Sequence, residues 1–93
     1  MKTSQIVVMD PVGLHARPAA LFVKLANKFN ADILICNLTT SSEWLNAKSI
    51  LSLLSCGVRQ GDQIGIKAEG ADEAAAIEAL EELVRSDFVK GVD

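Results

Sequence analysis

The only histidine of the chain, His15, stands in the segment Gly13-Leu14-His15-Ala16-Arg17-Pro18-Ala19-Ala20. A neutral imidazole keeps a nitrogen lone pair and can act as a nucleophile. The segment falls where a strand's exit loop turns into a helix. A helix start exposes unpaired backbone N–H groups and the positive end of the helix dipole, so it favours an anion. Arg17, two residues on, can bring a guanidinium fork to phosphoryl oxygens. Gly13 lets the loop approach a neighbour closely or take positive φ, and Pro18 fits the first turn of a helix, where a missing N–H costs nothing. Each residue has a plainer reading: His15 as a hydrogen-bonding helix start, Arg17 as a solvated charge. Nucleophile, anion pocket and cation within five residues favour the chemical one.

The elements that must position this segment follow from pattern. Residues 5–9 (QIVVM) are mostly β-branched and stop at Asp10-Pro11, as a strand ended by a turn does. Ala19, Phe22, Val23, Ala26 and Phe29 recur at three- and four-residue spacing, an apolar helical stripe beginning near Arg17. Ile33 to Cys36 read as a second strand and the region around Trp44 as a short third. Asn46 reads as the N-cap of a second helix over Ala47–Ser55, closed by a left-handed Gly57. Residues 63–68 form a fourth strand. Gly70 to Asp72 open a third helix through about Ser86, with Ile77, Leu80 and Val84 on its buried face and Asp72 and Glu73 complementing its dipole. The order βαββαβα predicts an α+β fold: one helical layer on a four-stranded antiparallel sheet, with strand order 1-4-2-3.

Composition agrees with a folded core. Of the 93 residues, 49% are hydrophobic and 23% charged, and the length suits one domain spanning 1–93. No apolar run approaches the roughly 20 residues that span a bilayer, and the N-terminus lacks a signal-peptide pattern; the expectation is a cytoplasmic protein without membrane insertion. Cys36 and Cys56 lack CxxC spacing and the single histidine leaves no zinc ligand set, so two buried free thiols are expected and no metal or cofactor. The net charge of −3 divides into +2 over residues 1–50 and −5 over residues 51–93. That balance disfavours nucleic acid. It suits a basic region, with Arg17, Lys24, Lys28 and Lys48, docking on an acidic protein. Lys24 and Lys28, one turn apart, also fit a simple solvated helix face.

The His15 segment resembles the active-site signature of the histidine-containing phosphocarrier family, HPr, of the bacterial phosphotransferase system. Lys48-Ser49-Ile50, then Leu53 and Gly57, are similar to that family's second motif, which carries a regulatory serine. The resemblance covers essentially the whole chain and implies an open-faced β-sandwich, a four-stranded antiparallel sheet with three helices on one face. It implies that His15 accepts phosphate from enzyme I through Nδ1 and donates it to the A component of an enzyme II. Arg17 would stabilise the phosphate, with Gly13, Ala16 and Pro18 shaping its pocket. Such a protein is a stoichiometric relay rather than an enzyme. Ser49 would be a phosphorylation site for a serine kinase and phosphatase. Ile50, Leu51, Leu53 and Leu54 are expected to be mostly core, but a helix of this length cannot bury all four equally. One or two left over, with Ile50, Leu51 and Leu54 as the candidates, would suit a shallow docking patch together with Lys24, Lys28 and Lys48. A paralogue in a regulatory, nitrogen-type phosphorelay and a non-catalytic interaction module are the alternatives.

Two departures from the family pattern stand out. The Cys36–Asn46 hairpin is about three residues longer than expected and lacks an Asn-Gly turn, and Cys56 replaces a larger aliphatic residue. Strand alternation turns Ile6, Val8, Ile33, Ile35, Ile64 and Ile66 toward the helices. That places Val7, Met9, Leu34 and Cys36 on the outer face, with Trp44 beside them. This patch would support a weak homodimer unless the long hairpin folds back over it.

Overall fold

Side chains on a strand point alternately to its two faces, and the six isoleucine and valine residues predicted to face inward are all buried. In the computed structural model, which describes residues 1–88, they lie on strands β1 (Lys2–Val7), β2 (Asp32–Asn37) and β4 (Gln63–Glu69) or, for Val8, just beyond β1. The short strand β3 (Leu45–Asn46) completes the sheet, in the order β1-β4-β2-β3. Every pairing is antiparallel, with Ile6 opposite Ile64, Ile35 opposite Ile66 and Leu34 opposite Asn46. Helices α1 (Ala16–Ala26), α2 (Ile50–Ser55) and α3 (Glu73–Arg85) cover the inward face. Phe22, Leu53, Leu80 and Leu83 from the three helices join the strand residues in one buried cluster. This is the predicted open-faced sandwich.

Helices α1 and α2 run antiparallel. Leu14 N–H donates to Val58 O (3.1 Å) at one end, and Lys48 Nζ donates to Phe29 O (2.7 Å) at the other. The Ser4 hydroxyl donates to the Glu81 carboxylate, tying β1 to α3. Beyond α3 the chain closes with Asp87 at φ 55°. Its N–H donates to Val84 O and that of Phe88 to Leu83 O, a Schellman termination that buries Phe88.

Several boundaries differ from expectation. Strand β1 starts at Lys2 because pairing with β4 recruits backbone whatever the side chain, so Thr3 and Ser4 belong to it. It ends at Val7, and the exposed Met9 lies past the strand. Strand β3 begins after Trp44, and Asn46 does not cap α2. Ala47 N–H still donates to Ile33 O (2.9 Å), which keeps the chain in the sheet there. The Asn46 Oδ1 instead accepts from Lys48 N–H (2.9 Å) in a local turn. Helix α2 therefore starts at Ile50, and Ser49 is its N-cap, accepting from Ser52 N–H. Asp72 occupies the N-cap position of α3 without capping it; its carboxylate accepts from Asn30 and Ala31 N–H, both at 2.8 Å, across the fold.

The outer face is partly covered. The long hairpin folds back and sets Trp44 and Leu38 against Gly65, where a Cβ would lie 2.7 Å from the Trp44 ring and 3.3 Å from Leu38. Lys67 Nζ sits 4.0 Å from the centre of that ring, a cation–π contact. Cys36, expected on the exposed outer patch, is buried because its Sγ packs in the same place, 3.3 Å from that Cβ position. Both cysteines are free and buried, and burial pushes both thiols up.

Candidate functional site

Asp10-Pro11-Val12-Gly13 is a β-turn closed by Gly13 N–H donating to Asp10 O (2.9 Å). Aspartate first, proline second and glycine fourth are the residues that a type I turn favours. Gly13 has φ +82°, and a Cβ there would lie 2.2 Å from Val58 O, so the loop runs directly against the Val58 backbone. One residue later Leu14, buried, donates to that same carbonyl. The turn and this contact together fix where His15 emerges.

His15 is the N-cap of α1, with extended backbone (φ −90°, ψ −171°). Its side chain makes no cap hydrogen bond, and the first turn carries no acidic residue, so the positive helix end is left for an anion. Ala16 and Arg17 supply N–H groups of that first turn, and Pro18, the third residue of α1, has none to supply. Pro18 is buried, whereas Ala16 and Arg17 are exposed. Arg17 therefore stands beside the helix start with its guanidinium free to swing toward a group on His15.

Asp10 is a member of this site that sequence reasoning treated only as a strand stop. It is 9% exposed. Its Oδ1 accepts from Val12 N–H (3.0 Å) and lies 3.6 Å from His15 Nε2. A carboxylate on that side attracts a proton to Nε2 and leaves Nδ1 with the lone pair. The signal was present in the sequence: an aspartate opening the turn that Gly13 completes three residues later, with its side chain able to reach the N–H two residues on.

The predicted docking residues divide into two groups. On α2 only Leu53 is buried; Ile50, Leu51 and Leu54 are exposed, Leu51 to 80%. Three neighbouring leucine and isoleucine side chains thus face solvent along α2. Leu54 lies toward the end of α2 that meets that loop. Lys24, in the last turn of α1, and Lys28 beyond it are exposed but at the opposite end of a helix roughly 16 Å long. Lys48 is half-buried and holds the Phe29 carbonyl, a structural bond that ties up its ammonium. Ser49 sits at that same far end, about one α2 length, roughly 9 Å, or more from the His15 loop.

Among the described residues no three His, Cys, Asp or Glu side chains are placed to hold a metal ion, and no helix is long and apolar enough to cross a membrane.

Comparison with known proteins places these features in a family. Residues 2–86 match the family model described as the PTS HPr component phosphorylation site. The chain is 48% identical over 80 residues to the phosphocarrier protein HPr of Mycoplasma pneumoniae, covering 86% of this chain and 89% of that one. Among solved structures it superposes on HPr-C-His of Thermoanaerobacter tengcongensis with a TM-score of 0.88 and 45% identity, over 95% of this chain and 96% of that one. An HPr dimer of the same organism gives a TM-score of 0.74 and 44% identity, over 97% and 100%.

Proposed function

The chain belongs to the HPr family of phosphotransferase-system phosphocarriers, and from that membership we propose that His15 takes a phosphoryl group from enzyme I and hands it to an enzyme II A component. The observation that carries this reading is His15 at an uncapped, acid-free helix start, with Asp10 beside Nε2 and Arg17 beside the opening. In the acceptance step the Nδ1 lone pair attacks phosphorus and the bond to the donor breaks, so the phosphoryl group moves without any oxidant or reductant. The first N–H groups of α1 and the Arg17 fork take up its charge. Donation is the reverse, with the acceptor as nucleophile. The exchange is close to symmetric, so the protein acts as a stoichiometric relay and no turnover belongs to it alone.

The whole chain, 1–93, works as one cytoplasmic unit in this reading. Enzyme I and the A component dock on the exposed apolar face of α2, whose Leu54 end lies toward the His15 loop. Of the cations in residues 1–50, Arg17 stands closest to the reacting group and is the one placed to steer both partners toward it. Ser49, at the α2 N-cap, is a regulatory phosphorylation site. Phosphate there adds nearly two negative charges at the edge of the docking face and a helix length away from His15, so it acts on docking rather than on chemistry. The test is incubation with an enzyme I and labelled phosphoenolpyruvate. Acid-labile, base-stable label on the wild-type chain, absent from His15→Ala, is the expected result. Equal label on His15→Ala would overturn the assignment, and a folded wild-type chain that takes no label would overturn the reading as a whole.

A further inference from the structure

Asn37 is fully buried, and its side chain uses both its donor and its acceptor atoms. Its Nδ2 donates to Cys56 O (3.2 Å) and to Asp62 Oδ2 (3.1 Å). Its Oδ1 accepts from Thr39 N–H (3.1 Å) and Thr40 N–H (3.3 Å) in the long hairpin. One NH2 group therefore clamps both ends of the connection from α2 to β4, residues 56–62.

That connection is the platform under the His15 loop. Val58 O accepts from Leu14 N–H (3.1 Å), Asp62 O accepts from Val8 N–H (2.9 Å) and Gly61 N–H donates to Val8 O (2.8 Å). Gln60 Nε2 reaches Met9 O (3.2 Å). Asp62 also closes the platform on itself, its Oδ2 accepting from Arg59 N–H (3.0 Å). Every bond from the His15 loop to residues 58–62 thus rests on a segment pinned by Asn37. The segment has no regular structure of its own to hold its shape.

We infer that Asn37 is a positioning residue for phosphoryl transfer: it sets the height and tilt of the His15 loop through residues 56–62, and it couples that geometry to the Leu38–Trp44 hairpin. The inference rests on His15 being the phosphoryl acceptor. A buried amide linking three segments is costly to leave half-satisfied, and a displacement of about 1 Å at a reacting atom costs up to a hundredfold in rate. Asn37 sends its side-chain hydrogen bonds to Cys56, Asp62, Thr39 and Thr40, and none to His15 or to the exposed Ile50, Leu51 and Leu54. Its loss should therefore reduce the chemical step and leave docking alone.

The experiment measures kcat and KM for this protein as a substrate of enzyme I, using the wild type, Asn37→Leu, Asp62→Ala and Ile77→Val, with urea unfolding of each. Asn37→Leu keeps the branched outline of the side chain and removes the four bonds; Asp62→Ala removes one end of the clamp from a half-exposed position and remains informative should the first fail to fold. The expected result is a kcat at least tenfold lower for either clamp variant at unchanged KM. The Gly13 and Leu14 amide resonances should shift as well. Ile77→Val, a packing loss at a buried position of α3, should leave kcat within twofold. Wild-type label with kcat within twofold in the clamp variants, or unshifted Gly13 and Leu14 amides, overturns the inference alone. Absence of label on the wild type overturns the function reading and the inference with it.

Discussion

Replacing Gly13 with alanine would put a methyl group 2.2 Å from Val58 O, 2.7 Å from Arg59 Cα and 2.9 Å from Val58 C. All three are backbone atoms, so no side chain can rotate away, and the φ of +82° is one that an L residue adopts at a cost of roughly 1–2 kcal/mol. Forcing an extra methyl into a filled space adds about 1–3 kcal/mol. The expected loss is therefore roughly 2–5 kcal/mol, a large part of the 5–15 kcal/mol that holds a typical domain folded. Gly57→Ala separates the two contributions: Gly57 also has positive φ (+61°), but nothing lies within 4 Å of its Cβ position. It should cost about 1 kcal/mol, from conformation alone. Urea unfolding of both variants, at an unchanged slope, reads the difference as a shift of midpoint. Relief of the clash requires the loop to lift from Val58 and break the Leu14 bond, so Gly13→Ala should also slow phosphoryl acceptance at least tenfold. Equal midpoints for the two variants would refute the packing reasoning, and wild-type acceptance in a folded Gly13→Ala would refute the link from loop to site.

Arg17→Lys should slow transfer to His15 about tenfold, the equivalent of one charge-assisted hydrogen bond of roughly 1.5 kcal/mol, and leave the urea midpoint unmoved; an unchanged rate would make Arg17 a bystander. Ser49→Asp should raise the KM of enzyme I for this protein with little change in kcat, since Ser49 lies a helix length from the His15 loop; wild-type KM would remove the regulatory role. Stability should hold from neutral pH to about pH 5 and fall steadily below about pH 4. The reason is that the Arg59 N–H beside Asp62, the Asn30 N–H beside Asp72 and the Gly70 N–H beside Glu73 hold these carboxyls below their ordinary values in the fold. The folded state thus binds protons less readily than the unfolded chain, and the stabilisation is lost as pH drops through the lowered values. Asp72→Asn should make the acid limb of urea midpoint against pH shallower, and an unaltered limb would count against that assignment. Self-association through the exposed Val7 and Leu34 should be weak, with light scattering giving a monomer mass at about micromolar concentration and a rise only near millimolar, abolished by Leu34→Lys; a dimer mass at micromolar would contradict the partial covering of that face by Trp44.

The order of strands and helices was legible because each element carries its own period. Alternating isoleucines mark β2 and β4, and the Ala19–Phe22–Val23–Ala26 stripe marks α1; in both cases local pattern and burial agree. What the pattern could not show is where a polar side chain spends its hydrogen bonds. Asn46 and Asp72 both stand at the right place and are of the right type to cap a helix. Yet Asn46 closes a turn on Lys48, and Asp72 reaches Asn30 and Ala31, more than forty residues back along the chain. A cap is a contest between nearby and distant donors, and only the fold brings the distant ones within reach.

The same limit divides the site. That Gly13, His15, Arg17 and Pro18 lie together was readable because a turn and a helix start join them within a few residues. Asp10 and Asn37 were not singled out. Asp10 looks like punctuation before a proline until the turn aims its carboxylate at Nε2, and Asn37 looks like the polar end of a strand until Cys56 and Asp62 arrive around it. The long hairpin likewise reads as a departure from the family pattern at the far edge of the sheet. Its Thr39 and Thr40 N–H groups nevertheless hold the Asn37 carboxamide in the orientation that presents Nδ2 to the platform under His15. On the role proposed for Asn37, the chemistry of one short segment depends on the conformation of another that contributes no reacting atom, which is why the hairpin and the His15 loop should be altered together in any redesign.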